Sequence, residues 1–176
     1  SALPPPPSSA CISITKDGVS LNVNPSPNED PCGHNILSLI NGNISSFTFS
    51  LNSWCSNNNL DYTLGFAMNE WELPNGLQVG VQYSTAYTFL TVDPYSVVTF
   101  YEYSCSSNPS ASTITYSFIP PQGSVSPQTF QITSIDYANN LISGELTSLV
   151  YNAQNSSDIA TIECIFTNVP FQQIEN

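Results

Sequence analysis

Apolar and polar residues alternate along most of this chain, and that alternation limits its possible folds more than any other feature. Ile12 and Ile14 alternate with polar residues near the start. Ile162, Cys164 and Phe166 do the same near the end. A period of two residues places the apolar side chains on one face of a β-strand. No stretch shows a convincing period of 3.6 residues, so we expect few helices or none.

Turn signals divide the alternating runs into strands. Lys16-Asp17-Gly18 separates two short runs, and Asn41-Gly42 separates two longer ones. Both sequences are typical of tight β-hairpins. Counting the runs predicts roughly nine or ten strands at the spacing of an antiparallel β-sandwich, with a closed β-barrel as the alternative. We therefore expect an all-β fold.

The first ten residues differ from the rest of the chain. They read Ser-Ala-Leu-Pro-Pro-Pro-Pro-Ser-Ser-Ala and carry no charge. Four consecutive prolines impose an extended polyproline II conformation and cannot donate backbone hydrogen bonds. We interpret residues 1–10 as a proline-rich arm and residues 11–176 as one β-domain. The arm is either a tether to a surface or a segment that docks on a neighbouring molecule.

The charge balance excludes several classes of partner. The 176 residues include one Lys, Lys16, and no Arg, against thirteen carboxylates, which gives a net charge of -12. Nucleic acids and anionic lipid surfaces are bound through several Lys and Arg side chains. No apolar run is long enough to span a bilayer as a helix. We therefore expect no nucleic-acid partner and no membrane-spanning segment.

The cysteines and the polar residues indicate an extracellular or cell-surface protein. Five Cys are widely spaced, at Cys11, Cys32, Cys55, Cys105 and Cys164. Such spacing favours disulfides over a zinc site. Because the count is odd, one Cys remains as a buried thiol or as a link to another chain. The chain shows no secretory leader, so we expect a mature form.

Candidate catalytic residues are few. His34 is the single histidine, and no G-x-S-x-G motif accompanies it. Glu70 and Glu72 flank Trp71, and on a strand both carboxylates share one face, where they could contact a sugar. The alternative is structural: both carboxylates lie on the exposed face of a strand, and Trp71 points into the core. We therefore predict a protein that is not an enzyme, with no catalytic residues and no cofactor.

Two kinds of accessory site stay open on the sequence. A structural Ca²⁺ could bind the loop Asn28-Glu29-Asp30, although no D-x-D-x-D-G loop is present. Other carboxylates are spread along the chain at Asp61, Asp93, Asp136 and Asp158. Asn43 and Asn155 each begin an N-x-S sequence, and whether either carries a glycan depends on the source.

The last third of the chain contains the step Asp136-Tyr-Ala-Asn-Asn-Leu-Ile-Ser-Gly144 and the ending Phe166-Thr-Asn-Val-Pro-Phe171. Through these residues, the segment 128–171 resembles an uncharacterised family of secreted or lipid-anchored β-domains of Bacteroidota. The Lys16-Asp17-Gly18 turn is similar to that family's first hairpin. The chain departs from the family pattern at Glu163-Cys164, and it does not begin with a lipidated Cys.

The resemblance implies a compartment and a fold rather than an activity. The shared residues are turn and core residues, and none of them is taken to be catalytic: Asp136, Asn140, Gly144, Asn168 and Pro170.

Two functions compete on the sequence. The first is a structural protein that associates with identical subunits as a surface or filament subunit, through β-strand exchange by residues 11–16 or 159–171. The second is a monomeric module that binds a glycan or another small ligand, with Trp54, Trp71 and tyrosines as stacking platforms.

Overall fold

The computed structural model describes residues 11–21, 30, 32–53, 61–69, 75–88, 96–103, 114–117 and 119–175. These residues form twelve strands and no helix. The strands are β1 (Ile12–Lys16), β2 (Val19–Ser20), β3 (His34–Ile40), β4 (Asn43–Ser53), β5 (Asp61–Asn69), β6 (Gln82–Thr88), β7 (Ser96–Tyr103), β8 (Ile114–Ser117), β9 (Val125–Asp136), β10 (Leu141–Asn152), β11 (Ile159–Pro170) and β12 (Gln172–Glu175). The all-β prediction is confirmed, and two very short strands, β2 and β12, bring the number above ten.

The strands form two sheets, which are connected where β10 of the first pairs with β8 of the second. The first sheet has the order β6-β9-β10-β11-β1-β2, and the second has the order β8-β7-β5-β4-β3-β12. One side of β10 pairs with β11 throughout. Its other side pairs first with β9, over residues 141–148, and then with β8, at Tyr151 and Asn152. The described strands do not close into a barrel, so the β-sandwich is confirmed over the alternative.

All but one of the described strand pairs are antiparallel. The exception is β12, which runs parallel to β3 at the edge of the second sheet. The chain reaches β12 directly from β11 of the first sheet, with the buried Phe171 between the two strands. The amide of Asn35 donates to the carbonyl of Pro170 at 3.2 Å and holds this crossover against β3.

The core lies between the two sheets, where the alternating apolar residues meet. Phe47 stacks against Phe130 and Phe166, with ring centroids 6.2 and 5.5 Å apart. Phe49 stacks against Phe166 at 6.1 Å. Because β4 belongs to one sheet and β9 and β11 belong to the other, these rings pack the sheets together.

Both predicted hairpin turns are present. Asp17 and Gly18 have φ values of 51° and 79°, and Asn41 and Gly42 have 52° and 79°. Positive φ at both central residues defines the type I′ turn, whose twist matches that of the flanking strands. Asp17 also caps the neighbouring strand, because its carboxylate accepts the N–H of Thr161 at 2.8 Å.

The turn and core residues noted in the sequence lie at turns and close contacts. Asp136 accepts the N–H groups of Ala138 and Asn139 and orders the β9–β10 turn. These hydrogen bonds, with one from the Asn139 side chain as the largest cause, lower the pKa of Asp136. Asn140 and Asn168 have φ values of 54° and 49°. A Cβ on Gly144 would lie 2.5 Å from both the Gln131 carbonyl and the Phe166 ring, so only glycine fits there.

One disulfide connects the two sheets. It joins Cys11, before β1, to Cys32, before β3. Cys164 is a fully buried free thiol on β11, and burial raises its pKa to about 12. Cys55, Cys105 and the proline-rich arm lie outside the described residues. Within the ranges given above, no helix is long and apolar enough to cross a membrane.

Candidate functional site

The histidine singled out by the sequence stands at an exposed position. His34 is the first residue of β3, and its backbone pairs with Ser50. The nearest thiol in the sequence, Cys32, is in a disulfide and is therefore not available as a nucleophile. The described part of the chain holds no group of three or more His, Cys, Asp or Glu side chains that could bind a metal ion.

Several other sequence candidates cannot be placed. The acidic pair Glu70 and Glu72, both tryptophans (Trp54 and Trp71), and Asn28, Glu29 and Asp93 lie outside the described residues. Asp30 is described, and its carboxylate accepts the N–H of Cys32 at 2.8 Å, which shapes the turn before β3.

The single Lys of the chain is half-buried at the end of β1. Lys16 follows Ile12 and Ile14 on the core-facing side of β1, and its Nζ is 4.7 Å from the centre of the Tyr116 ring. The Tyr116 hydroxyl donates to Asp158 at 2.9 Å, and the Asn152 amide donates to the same carboxylate oxygen at 3.0 Å. The cluster therefore links β1, β8, β10 and the loop before β11.

Titration of this cluster follows its contacts. The hydrogen bond from Asn152, then that from Tyr116, and the charge of Lys16 lower the pKa of Asp158. Burial raises the pKa of Tyr116 against the opposing effect of Lys16. The carboxylate is thus stabilised in its charged form and the phenol in its neutral form. These contacts connect β8 of the second sheet to β10 of the first.

Strand β6 forms a long open edge of the first sheet. All seven of its residues pair with β9, and no described strand pairs with its other side. Its sequence, Gln-Tyr-Ser-Thr-Ala-Tyr-Thr, contains no charged residue and no proline. Ser84 and Ala86 on this strand are exposed. An uncharged edge of seven residues lacks the charged side chains and the prolines that proteins use to block pairing with another strand.

The two segments expected to exchange are interior strands of their own sheet. Residues 159–171 include β11, which lies between β10 and β1. Residues 11–16 include β1, which pairs with β11 on one side and with the short β2 on the other. The terminal strand that lies at an edge is β12, whose four residues are all exposed.

A groove of about 280 Å³, whose described lining carries no charge, opens at the end of the first sheet where β10 pairs with β8. Residues 119–121, residues 151–153, Ser117 and Ser156 line it. Ile119 is exposed, whereas Pro120 and Tyr151 are buried beneath it. The Tyr151 hydroxyl donates to the Val125 carbonyl at 3.0 Å, which fixes that ring in place. We refer to this feature as the groove.

Both glycosylation sequences are accessible. Asn43 is exposed at the first position of β4. Asn155 is exposed in the loop before β11, where its side-chain oxygen accepts the N–H of Ser157 at 3.2 Å. Either amide nitrogen is therefore open to modification in a source that glycosylates.

The sequence did not indicate the β6 edge or the groove as functional features. The charge-free run 82–88 and the dipeptide Pro120-Pro121 were the signals available for them. Comparison of the chain with protein-family models, curated proteins and solved structures found no match.

Proposed function

We propose that this chain is an extracellular structural protein without enzymatic activity, which associates with copies of itself through the open edges of its sheets. The observation that carries the proposal is the β6 edge, with seven residues that are uncharged and unpaired on one side within the described part of the chain. Backbone groups of such an edge bind an added strand, and alternating side chains set its register.

The partner edge is β12 of a second copy. It is the exposed outermost strand of the second sheet, and it pairs on one side with β3. Pairing of β12 with β6 of the next copy joins two different surfaces. A contact of this kind leaves one free edge at each end, so it extends into a filament rather than closing as a dimer.

The chemistry of the surface supports this interpretation. The sole Lys is engaged with Tyr116, and long cationic side chains are the usual means of blocking a sheet edge. The Cys11–Cys32 disulfide supports an oxidising compartment, where such bonds persist.

Placing a cation on the edge tests the proposal. We expect wild-type protein to form concentration-dependent oligomers in sedimentation velocity and filaments in negative-stain micrographs. Ser84→Lys should shift the population to monomers, because the ammonium group would lose water when a strand is added. Ser13→Lys is the matched control, since it makes the same charge change at an exposed position of β1, away from the β6 edge.

Two results would contradict edge pairing. One is wild-type protein that stays monomeric at its highest attainable concentration. The other is equal assembly of the Ser84→Lys and Ser13→Lys variants, because then the β6 edge would make no contribution.

A further inference from the structure

The groove lies at the end of the first sheet that is opposite to the attachment point of the proline-rich arm. Tyr151, in the groove, pairs with Ile159 at the start of β11. Cys11, which follows the arm, accepts the N–H of Thr167 through its carbonyl at 2.7 Å. Ile159 and Thr167 are eight positions apart on β11, which corresponds to about 27 Å along the strand.

The direction of β1 places Cys11 at the end of the first sheet that is away from the groove. β1 begins with Ile12 opposite Phe166 and ends with Lys16 opposite Ile162, so it runs towards the groove end of the sheet. Ten residues in polyproline II conformation would span about 31 Å, and a segment that reached its own groove from Cys11 would have to run opposite to β1.

The arm and the groove have matching chemistry. The arm has no charged residue and contains four consecutive prolines. The described lining of the groove consists of two prolines, Ile119, Ala153, uncharged polar residues and Tyr151, and Pro120 and Tyr151 are buried. Polyproline II segments dock into apolar, aromatic grooves at low entropic cost, because their bound conformation is already formed.

Size and charge favour the same occupant. At about 280 Å³ the groove is slightly below the usual range of sites for small molecules, about 300 to 1,000 Å³. In a protein with a net charge of -12, two uncharged surfaces approach each other without bringing further carboxylates into contact.

We propose that the groove binds the proline-rich arm of a second copy of this chain. The inference rests on the proposed self-association and names one of its contacts. Because Cys11, to which the arm is attached, and the groove are at opposite ends of the first sheet, each copy gives its arm to one neighbour and receives an arm from another. This contact joins two different surfaces of neighbouring copies, as pairing of the sheet edges does, so it also adds copies head to tail.

A binding measurement tests the groove independently of the sheet edges. A fluorescent peptide with the sequence of residues 1–10 is titrated with the full-length Ser84→Lys protein, and binding is followed by fluorescence anisotropy. We expect saturable binding, and about tenfold weaker binding when Ile119→Ser is added. Ile165→Ser is the matched control, because the two side chains are equally exposed, Ile165 at 52% and Ile119 at 51%. Ile165 lies on β11 and does not line the groove. A peptide with alanine at positions 4–7 should bind more weakly than the native sequence.

A mixing experiment tests whether the arm crosses between copies. Both full-length variants carry Ser84→Lys, which removes pairing of the sheet edges. One also carries alanine at positions 4–7 and keeps the groove, and the other also carries Ile119→Ser and keeps the arm. Each alone should stay monomeric in sedimentation velocity. Mixed together, they should form a one-to-one dimer that does not extend, since only one productive arm–groove pair is available.

The outcomes separate this inference from the proposed function. Absence of peptide binding, or an equal loss with Ile119→Ser and Ile165→Ser, overturns the arm contact even if Ser84→Lys still abolishes assembly. Peptide binding with no dimer in the mixture also overturns it, because the arm then does not bridge copies. Arm binding with undiminished assembly of Ser84→Lys overturns edge pairing alone.

Discussion

At the scale of single residues, the Lys16–Tyr116–Asp158 cluster shows how a chain almost without cations uses the one it has. Lys16 lies against the Tyr116 ring, and Tyr116 donates to the carboxylate of Asp158. A cation over an aromatic face is attracted by the ring quadrupole, and a hydrogen bond to a carboxylate is stronger than one to a neutral group. The cluster therefore stabilises the end of the sandwich where β8 meets β10.

The cluster makes stability depend on pH. The pKa of Asp158 in the folded protein lies below its ordinary value of 3.8, so the unfolded chain binds more protons near that pH. Its contribution to stability is complete above pH 3.8 and is lost as the pH falls through the lowered pKa. Asp158→Asn should be about 1 kcal/mol less stable than wild type at neutral pH, and this difference should shrink in acid. Urea unfolding at a series of pH values measures it, and a difference that does not change with pH would contradict the assignment.

Some residue-scale features were predictable from the sequence, and others were not. Asp17-Gly18 and Asn41-Gly42 form type I′ turns because the turn chemistry is local. The requirement for glycine at position 144 depends on the approach of Gln131 and Phe166, which the sequence does not contain. The inward position of Lys16 follows the alternation of β1, but its contact with Tyr116 joins residues 100 positions apart.

At the scale of strands, alternation predicted that strands exist but not how they are ordered. β3 and β4 are neighbours because a two-residue turn joins them. β6 pairs with β9, and β10 pairs with β8, β9 and β11. These pairings between strands distant in sequence depend on how the two sheets pack. The strands that lie at edges, and with them the candidate site, were therefore beyond what the sequence pattern could predict.

The disulfide should contribute measurably to stability because it links β1 to β3 across the sandwich. Cys11 and Cys32 are 21 residues apart, and closing a loop of that length lowers the entropy of the unfolded chain by an amount worth about 3 kcal/mol. We expect the Cys11→Ser/Cys32→Ser double variant to lose about this free energy of unfolding in urea. Wild-type protein under reducing conditions is the control and should lose a similar amount. An unchanged unfolding midpoint would show that the link adds nothing to the fold.

At the scale of the whole molecule, net charge opposes self-association. Each copy carries a charge of -12, so two copies repel at long range. The β6 edge, the arm and the described lining of the groove are uncharged, and β12 carries one carboxylate, Glu175, so no contact proposed for assembly contains an ion pair. Salt should therefore screen the repulsion between copies and leave the contacts themselves unchanged.

The resulting prediction has a definite sign. Raising the ionic strength from about 0.01 M to about 0.15 M shortens the Debye length from about 30 Å to about 8 Å. Association of wild-type protein, followed by sedimentation velocity, should strengthen over this range. An assembly held by ion pairs would weaken instead, so dissolution of the oligomers on adding salt would contradict an interface without ion pairs.

The position of the disulfide has a mechanical consequence for an assembly joined by the arm. A pull on the arm enters the domain at Cys11 and runs parallel to β1 and β11, so their ladder is loaded in shear and its hydrogen bonds must fail together rather than one by one. Because Cys11 is bonded to Cys32, part of the same force passes straight to β3 in the second sheet. Tension is thus shared by both layers of the sandwich at the residue where it arrives.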